Sequence, residues 1–227
     1  MRKITSHTLV RKGMPFIGRV IENVLPYIEK SLITISKKAD EQTQREVLRL
    51  ACTYRKVIVS QEEVSSPSEL TKERQKQIEN TETEWILFLD DDDWWPKDHF
   101  EEMLDMIKRD QCVDGYSVDP YQLIDKDHYD SSWNNKSFTK FFRNKPGLHY
   151  RGGWPRDLIY LNDSLLYWKK NIRVPRLGKK FFHLSYLKDN SFRKETWAKQ
   201  YESTMGIAVE LPINEKENAK RIFEYCG

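Results

Sequence analysis

The stretch Glu84–Pro96 reads EWILFLDDDDWWP, and its reading decides the fold. Trp85–Leu89 is an apolar run of strand length that stops abruptly at four aspartates, and Pro96 marks the start of the next helix. That helix carries Phe100, Leu104 and Ile107 on one face. Upstream, Ile4–Val10 reads as a strand, followed by a helix with Ile17, Val20, Ile21, Val24 and Leu25 at helical spacing. Leu32–Ile35 and Val57–Val59 read as strands around a helix over Thr43–Cys52. The polar segment SQEEVSSPSEL is expected to be a loop, and a polar helix over about Thr71–Asn80 leads into the strand at Trp85. Short strands separated by helices imply parallel pairing through right-handed crossovers, hence an open α/β sheet. Ligands of such sheets bind outside the carboxyl ends of the strands, where the four aspartates sit.

Four adjacent carboxylates repel one another, and a fold that gathers them most often gains a divalent cation. In an extended segment Asp90 and Asp92 point one way and Asp91 the other. Two carboxylates leave most of a hard cation's coordination sphere to water and phosphate oxygens, as Mn2+ or Mg2+ prefers. The competing reading is an ordinary polar strand exit whose last aspartate caps the Pro96 helix.

Composition bounds the rest. The chain has 227 residues, 38% of them hydrophobic and 12% aromatic, enough for one substantial core and too many for a disordered chain. No apolar run approaches the roughly 18 residues that span a bilayer. The opening MRKITSHTLVRKGMP lacks the apolar region of a secretory signal, so a cytoplasmic location is expected. Three scattered cysteines form neither a disulfide framework nor a metal-ligand spacing. Charge is uneven: residues 1–130 carry −7 and residues 131–227 carry +10, within a net of +3. An acidic half facing a basic half suits a site where a cation meets an anionic ligand. A pI near 8.6 falls short of the usual nucleic-acid footprint, which ranks nucleic acid last among ligands.

Residues 131–156 hold no acidic residue, six Lys or Arg, and six aromatics: Trp133, Phe138, Phe141, Phe142, Tyr150 and Trp154. Trp154, with Arg156 beside it, and the other aromatics of this stretch are candidates to stack on an acceptor sugar. The same mixture suits peripheral contact with the cytoplasmic face of an anionic membrane, or a loop that orders over a donor. Ile172–Val174 and Lys180–Leu184 read as short strands, and a last helix is expected to open at Asn214 with a capping-box Glu217.

Glu84-Trp-Ile-Leu-Phe-Leu-Asp-Asp-Asp-Asp93 followed by Trp-Trp-Pro96 resembles the strand and "DxD" segment of family-2-type glycosyltransferases with the GT-A fold. Arg74, 16 residues before Asp90, matches an arginine often found on the preceding helix of that family. Thr8-Leu9-Val10-Arg11 resembles its first strand and nucleotide-contacting turn. The resemblance covers roughly residues 4–110 and implies an α/β, Rossmann-like GT-A fold. This is an open, mostly parallel nucleotide-binding sheet flanked by helices, with a smaller C-terminal acceptor region. Residues 1–125 would bind the sugar nucleotide, and residues 126–227 would bind the acceptor and complete the metal site.

The implied activity is metal-dependent transfer of a hexosyl group from a nucleoside-diphosphate sugar to a glycan, lipid-linked or protein acceptor. Asp90 would contact the ribose or a metal-bound water, with Asp91 beside it on the nucleotide. Asp92 would bind Mn2+ or Mg2+, and Asp93 is the second-choice ligand. Arg74 would hold the nucleotide or its phosphates. The family's base-reading aspartate falls on Ser36, with Asp40 as a substitute, a departure that leaves GDP open beside the favoured UDP. Many such enzymes take a third metal ligand from a late histidine, here His183. An inverting transfer needs a carboxylate base, for which Asp157 and Asp163 are the candidates; a retaining outcome stays open. Two rival classes use the same features: another metal-dependent phosphoryl or nucleotidyl transferase, and a basic-aromatic nucleic-acid-binding module.

Overall fold

The structure, a computed structural model, describes residues 3–11, 13, 15–64, 66–110, 112–124, 128–131, 137–151, 158–166, 173–185 and 219–221. Four parallel strands, β1 (Ile4–Val10), β2 (Lys30–Ser36), β3 (Val57–Glu62) and β4 (Trp85–Phe88), form the first half of an eight-stranded sheet. They are linked by helices α1 (Ile17–Val24), α2 (Glu41–Thr53) and α3 (Pro67–Glu79); α4 (Lys97–Arg109) follows the aspartates. β1 and β2 are buried along almost their whole length, as parallel strands covered on both faces must be.

The segment expected to be a loop is shorter than predicted. β3 runs on to Glu62, and α3 starts at Pro67 because Ser66 and Glu69 close a capping box around Pro67. Asp40 caps α2 from one side, its carboxylate accepting from the Thr43 N–H and hydroxyl at 2.8 Å each.

The sheet continues beyond β4 as β8 (Phe138–Arg143), β6 (Gly115–Gln122), β12 (Arg176–His183) and the two-residue edge strand β5 (Asp93–Trp94). β8 runs antiparallel to both neighbours, with Leu87 and Tyr116 opposite Phe141 and with Ile86 and Gly115 opposite Phe142. A Cβ on Gly115 would lie 2.6 Å from the Phe141 carbonyl oxygen, so only glycine admits this close approach. Phe141, Phe142 and Tyr150 are therefore core residues and not an acceptor-stacking surface, a correction to the sequence reading. Trp95 is fully buried, edge-on to Phe100 and Phe141 and stacked on Phe181 at 5.2 Å.

A small antiparallel sheet, β9 (Leu148–Arg151), β10 (Leu158–Leu161) and β11 (Ser164–Leu165), shares an apolar cluster with Ile78 of α3. β7 (His128–Asp130) pairs with β13 (Ala219–Arg221), a strand within the segment expected to be the last helix. Among the described residues, no helix is long and apolar enough to cross a membrane. Cys52 and Cys112 are free and exposed.

His7, in the middle of β1, is fully buried with Nε2 2.6 Å from the Thr81 hydroxyl. Burial, reinforced by Arg74, pushes its pKa down to about 3. The unfolded chain binds this proton below about pH 6.5 and the folded one only near pH 3, so stability falls as pH drops through that window. The full loss from this group is about 4–5 kcal/mol. Urea unfolding at pH 7, 5.5 and 4 should show a shallower acid dependence in His7→Gln; an unchanged slope would refute the assignment.

Candidate functional site

Three strands converge on the aspartate run. β4 ends at Phe88, and the chain turns tightly: the Asp93 N–H donates to the Asp90 carbonyl, while the Asp90 N–H donates to Asp93 Oδ2, both at 3.2 Å. Asp93 then enters β5, whose antiparallel pairing with β12 sets it opposite His183. The Leu184 N–H donates to the Asp92 carbonyl at 2.8 Å, and Asn23 of α1 exchanges two hydrogen bonds with the Trp95 backbone. The acidic segment is thus clamped on both sides.

Asp92, Asp93 and His183 place one ligand atom each within 4.8 Å of one another. Asp92 is 6% exposed, and Asp93 is fully buried. The carboxylate of Asp93 can only accept, so His183 Nδ1 donates to its Oδ1 at 2.9 Å. This fixes the neutral ring's lone pair on Nε2, the orientation by which carboxylates align metal-binding imidazoles. His183 Nδ1 also lies 3.5 Å from Asp92 Oδ1. Burial alone would lower the imidazole pKa, yet Asp92 and Asp93 outweigh it and raise it. Two carboxylates and an imidazole are a donor set that fits Mn2+ or Mg2+.

The sequence reading missed Lys140. From β8, 3% exposed, it donates to Asp90 Oδ2 at 2.7 Å and to Asp93 Oδ2, while its ammonium lies 5.0 Å from the ring centres of both Phe88 and Phe181. Burial opposes its charge, but the two aspartates hold its pKa above the usual lysine value. Arg74 of α3, equally buried, reaches Asp90 Oδ1 at 3.5 Å and stacks 3.8 Å over Phe88. Against the cost of burial, Lys140 and Arg74 together hold the Asp90 carboxyl far below the ordinary carboxylate range. The only signal for Lys140 in the sequence is its place in the acid-free stretch facing four aspartates.

The remaining candidates scatter. Thr8, Leu9 and Val10 end β1, and Arg11 follows, its pKa lowered by burial against the opposing pull of Asp91. Ser36 ends β2, its hydroxyl accepting from the Lys38 N–H. Asp40 already uses both carboxylate oxygens to cap α2, so it is not a ready substitute for a base-reading aspartate. Asn162 and Asp163 form the β10–β11 turn with φ of 48° and 61°, and Asp163 pairs with Arg151 in solvent. That turn accounts for the position of Asp163 without a catalytic role. Trp154, Arg156 and Asp157 lie outside the described residues.

Residues 17–165 match Glycosyl transferase family 2. No curated protein matches the chain. Among solved structures, TarS of S. aureus aligns with a TM-score of 0.55 at 15% identity, over 95% of this chain and 77% of that one. The mannosyltransferase PcManGT of Pyrobaculum calidifontis, solved with GDP-Man and Mn2+, aligns at 17% identity with a TM-score of 0.43. That match covers 54% of this chain and 36% of the other. Glucosyl-3-phosphoglycerate synthase of Mycobacterium tuberculosis, solved with Mn2+, UDP-Glc and phosphoglyceric acid, aligns at 11% identity with a TM-score of 0.41. Here 53% of this chain and 44% of the other are covered, so the chain spans less than half of both of these proteins. The likeness to TarS is one of fold, and the architecture is the GT-A type implied by the resemblance.

Asp93 has both oxygens engaged by cationic or proton-bearing partners inside the protein. Asp93→Ala should therefore cost about 3 kcal/mol of stability in urea unfolding at pH 7, because it removes half of a buried ion pair. A loss under about 1 kcal/mol would show that the cluster is not a cohesive unit.

Proposed function

The chain belongs to glycosyl transferase family 2, and from that premise we propose that it transfers a hexosyl group from a nucleoside-diphosphate sugar, with Mn2+ or Mg2+ as cofactor. The observation that carries this reading is the trio Asp92, Asp93 and His183 at the carboxyl end of β4, where ligands of open α/β sheets bind. When bound, the metal would offset the negative charge that grows on the departing diphosphate.

Asp92 and His183 are the first ligands in this proposal, and Asp93, the second-choice ligand, also orients His183 through the Nδ1–H bond. Arg74, buried on α3, and Arg11, at the end of β1, flank the aspartates with positive charge. They suit the phosphates or ribose of the donor better than an uncharged ligand. Asp91 adjoins Arg11, and Asp90 is held ionised by Lys140 and Arg74. The nucleotide-contacting residues of this reading are Thr8–Arg11, Ser36, Arg74, Asp90 and Asp91. UDP is the first donor to try, and GDP is kept as the second because Ser36 stands where an aspartate usually reads the base.

The acceptor is a hydroxyl of a glycan, a lipid-linked carrier or a protein, bound by residues from the second half of the chain. Asp157 remains the proposed base for an inverting transfer, with Trp154 and Arg156 beside it in sequence as acceptor contacts.

A thermal-shift panel of UDP, GDP, CDP and ATP, each with Mn2+, Mg2+ or EDTA, tests the reading. Ligand at about 100 times its Kd should stabilise the native state by roughly 2.7 kcal/mol. One nucleoside diphosphate should shift the transition only with metal, and Asp92→Asn should abolish the shift. If no diphosphate shifts a folded protein that binds Mn2+, the sugar-nucleotide reading fails.

A further inference from the structure

Lys140 is an unusual occupant of a site meant for a divalent cation. Its side chain is 4% exposed, and its ammonium donates to Asp90 Oδ2 and Asp93 Oδ2. The other oxygen of each aspartate also faces a partner: Arg74 on Asp90 and His183 on Asp93. Two of the four aspartates are therefore neutralised by the chain itself. Any ion held by Asp92, Asp93 and His183 shares Asp93 with this ammonium. Like charges on one carboxylate repel, the more so in a buried setting where screening by water is poor.

We propose that Lys140 is a positioning residue that acts as a resident counter-cation: it holds Asp90 and Asp93 in place when no metal is bound, and its charge beside Asp93 lowers the affinity of the site for a free divalent ion. The inference rests on the metal-dependent reading above. It assigns the acidic run two duties: Asp90 is bound to Lys140 and Arg74, Asp92 and His183 are left to the ion, and Asp93 is shared between Lys140 and the ion. A lysine on an interior strand is costly unless paired, and the pairing here uses the same carboxylates that a metal would otherwise need to gather.

The test is isothermal titration of Mn2+ alone into the wild-type chain, Lys140→Gln and Lys140→Arg, with thermal unfolding of each in EDTA and in excess Mn2+. Lys140→Gln keeps a hydrogen-bond donor and loses the charge. It should unfold at a lower temperature in EDTA, bind Mn2+ at least about tenfold more tightly, and gain more stability from Mn2+ than the wild type does. Lys140→Arg keeps the charge and should stay within about threefold of the wild-type Mn2+ affinity. A Lys140→Gln chain that is unfolded in EDTA but folds with Mn2+ supports the proposal, because the ion has replaced the ammonium. One that stays unfolded in excess Mn2+ overturns it, as does equal or weaker Mn2+ binding by a folded Lys140→Gln. Tenfold tighter binding by Lys140→Arg also overturns it. Mn2+ binding by none of the three would overturn the metal-dependent reading itself, whereas binding by all three with one affinity would overturn only the role of Lys140.

Discussion

Four consecutive carboxylates at the mouth of a buried strand demand counter-charge, and the rest of the structure is arranged around that demand. Two of the compensating groups come from sheet strands distant in sequence. Lys140 arrives on β8 beside β4, and His183 arrives at the end of β12, opposite Asp93. Arg74 comes from the helix that leads into β4. Lys140 and Arg74 are buried cations that would be costly alone, and hydrogen bonds hold Lys140 and His183 on the aspartates.

The aromatic core gives the cluster its setting. Phe88 and Phe181 present ring faces to the Lys140 ammonium, and Phe88 also lies under Arg74. Trp95, stacked on Phe181 and hydrogen-bonded through its backbone to Asn23, ties the exit of the aspartate run to α1. A dry surround strengthens every paired interaction and raises the cost of any unpaired one. Rigid presentation of acidic groups follows from packing that the aspartates themselves do not make.

The first half was legible because its signals are local. The alternation of strands and helices up to α4, and the break from WILFL into DDDD, need no knowledge of tertiary contacts. Even the early start of α3 is written as Ser66-Pro67-Ser68-Glu69, a capping box hidden within what reads as a polar loop. β8 was not legible, because FTKFFR carries two basic residues among aromatics, and only insertion between β4 and β6 decides that Phe141 and Phe142 point into the core. Lys140 shares that fate: in sequence a lysine defaults to solvent, and its partners lie 47 and 50 residues away. Asp40 and Asp163 show how one residue admits two accounts. Each matched a chemical role by type, while a helix cap and a tight turn explain their presence on local backbone grounds.

The split of charge between the halves finds an answer in the same terms. Basic residues of the second half pair with acids of the first at Arg143–Glu84, Lys145–Asp114, Arg176–Asp119 and Arg173–Asp110, as well as at Lys140. Most of these pairs are partly exposed and contribute little stability each. Their common effect among the described residues is to place positive charge of the second half against acids of the first. Lys140 differs from the others only in depth. Burial turns an ordinary cross-sheet pairing into the contact that decides how much negative charge the site offers to an incoming cation.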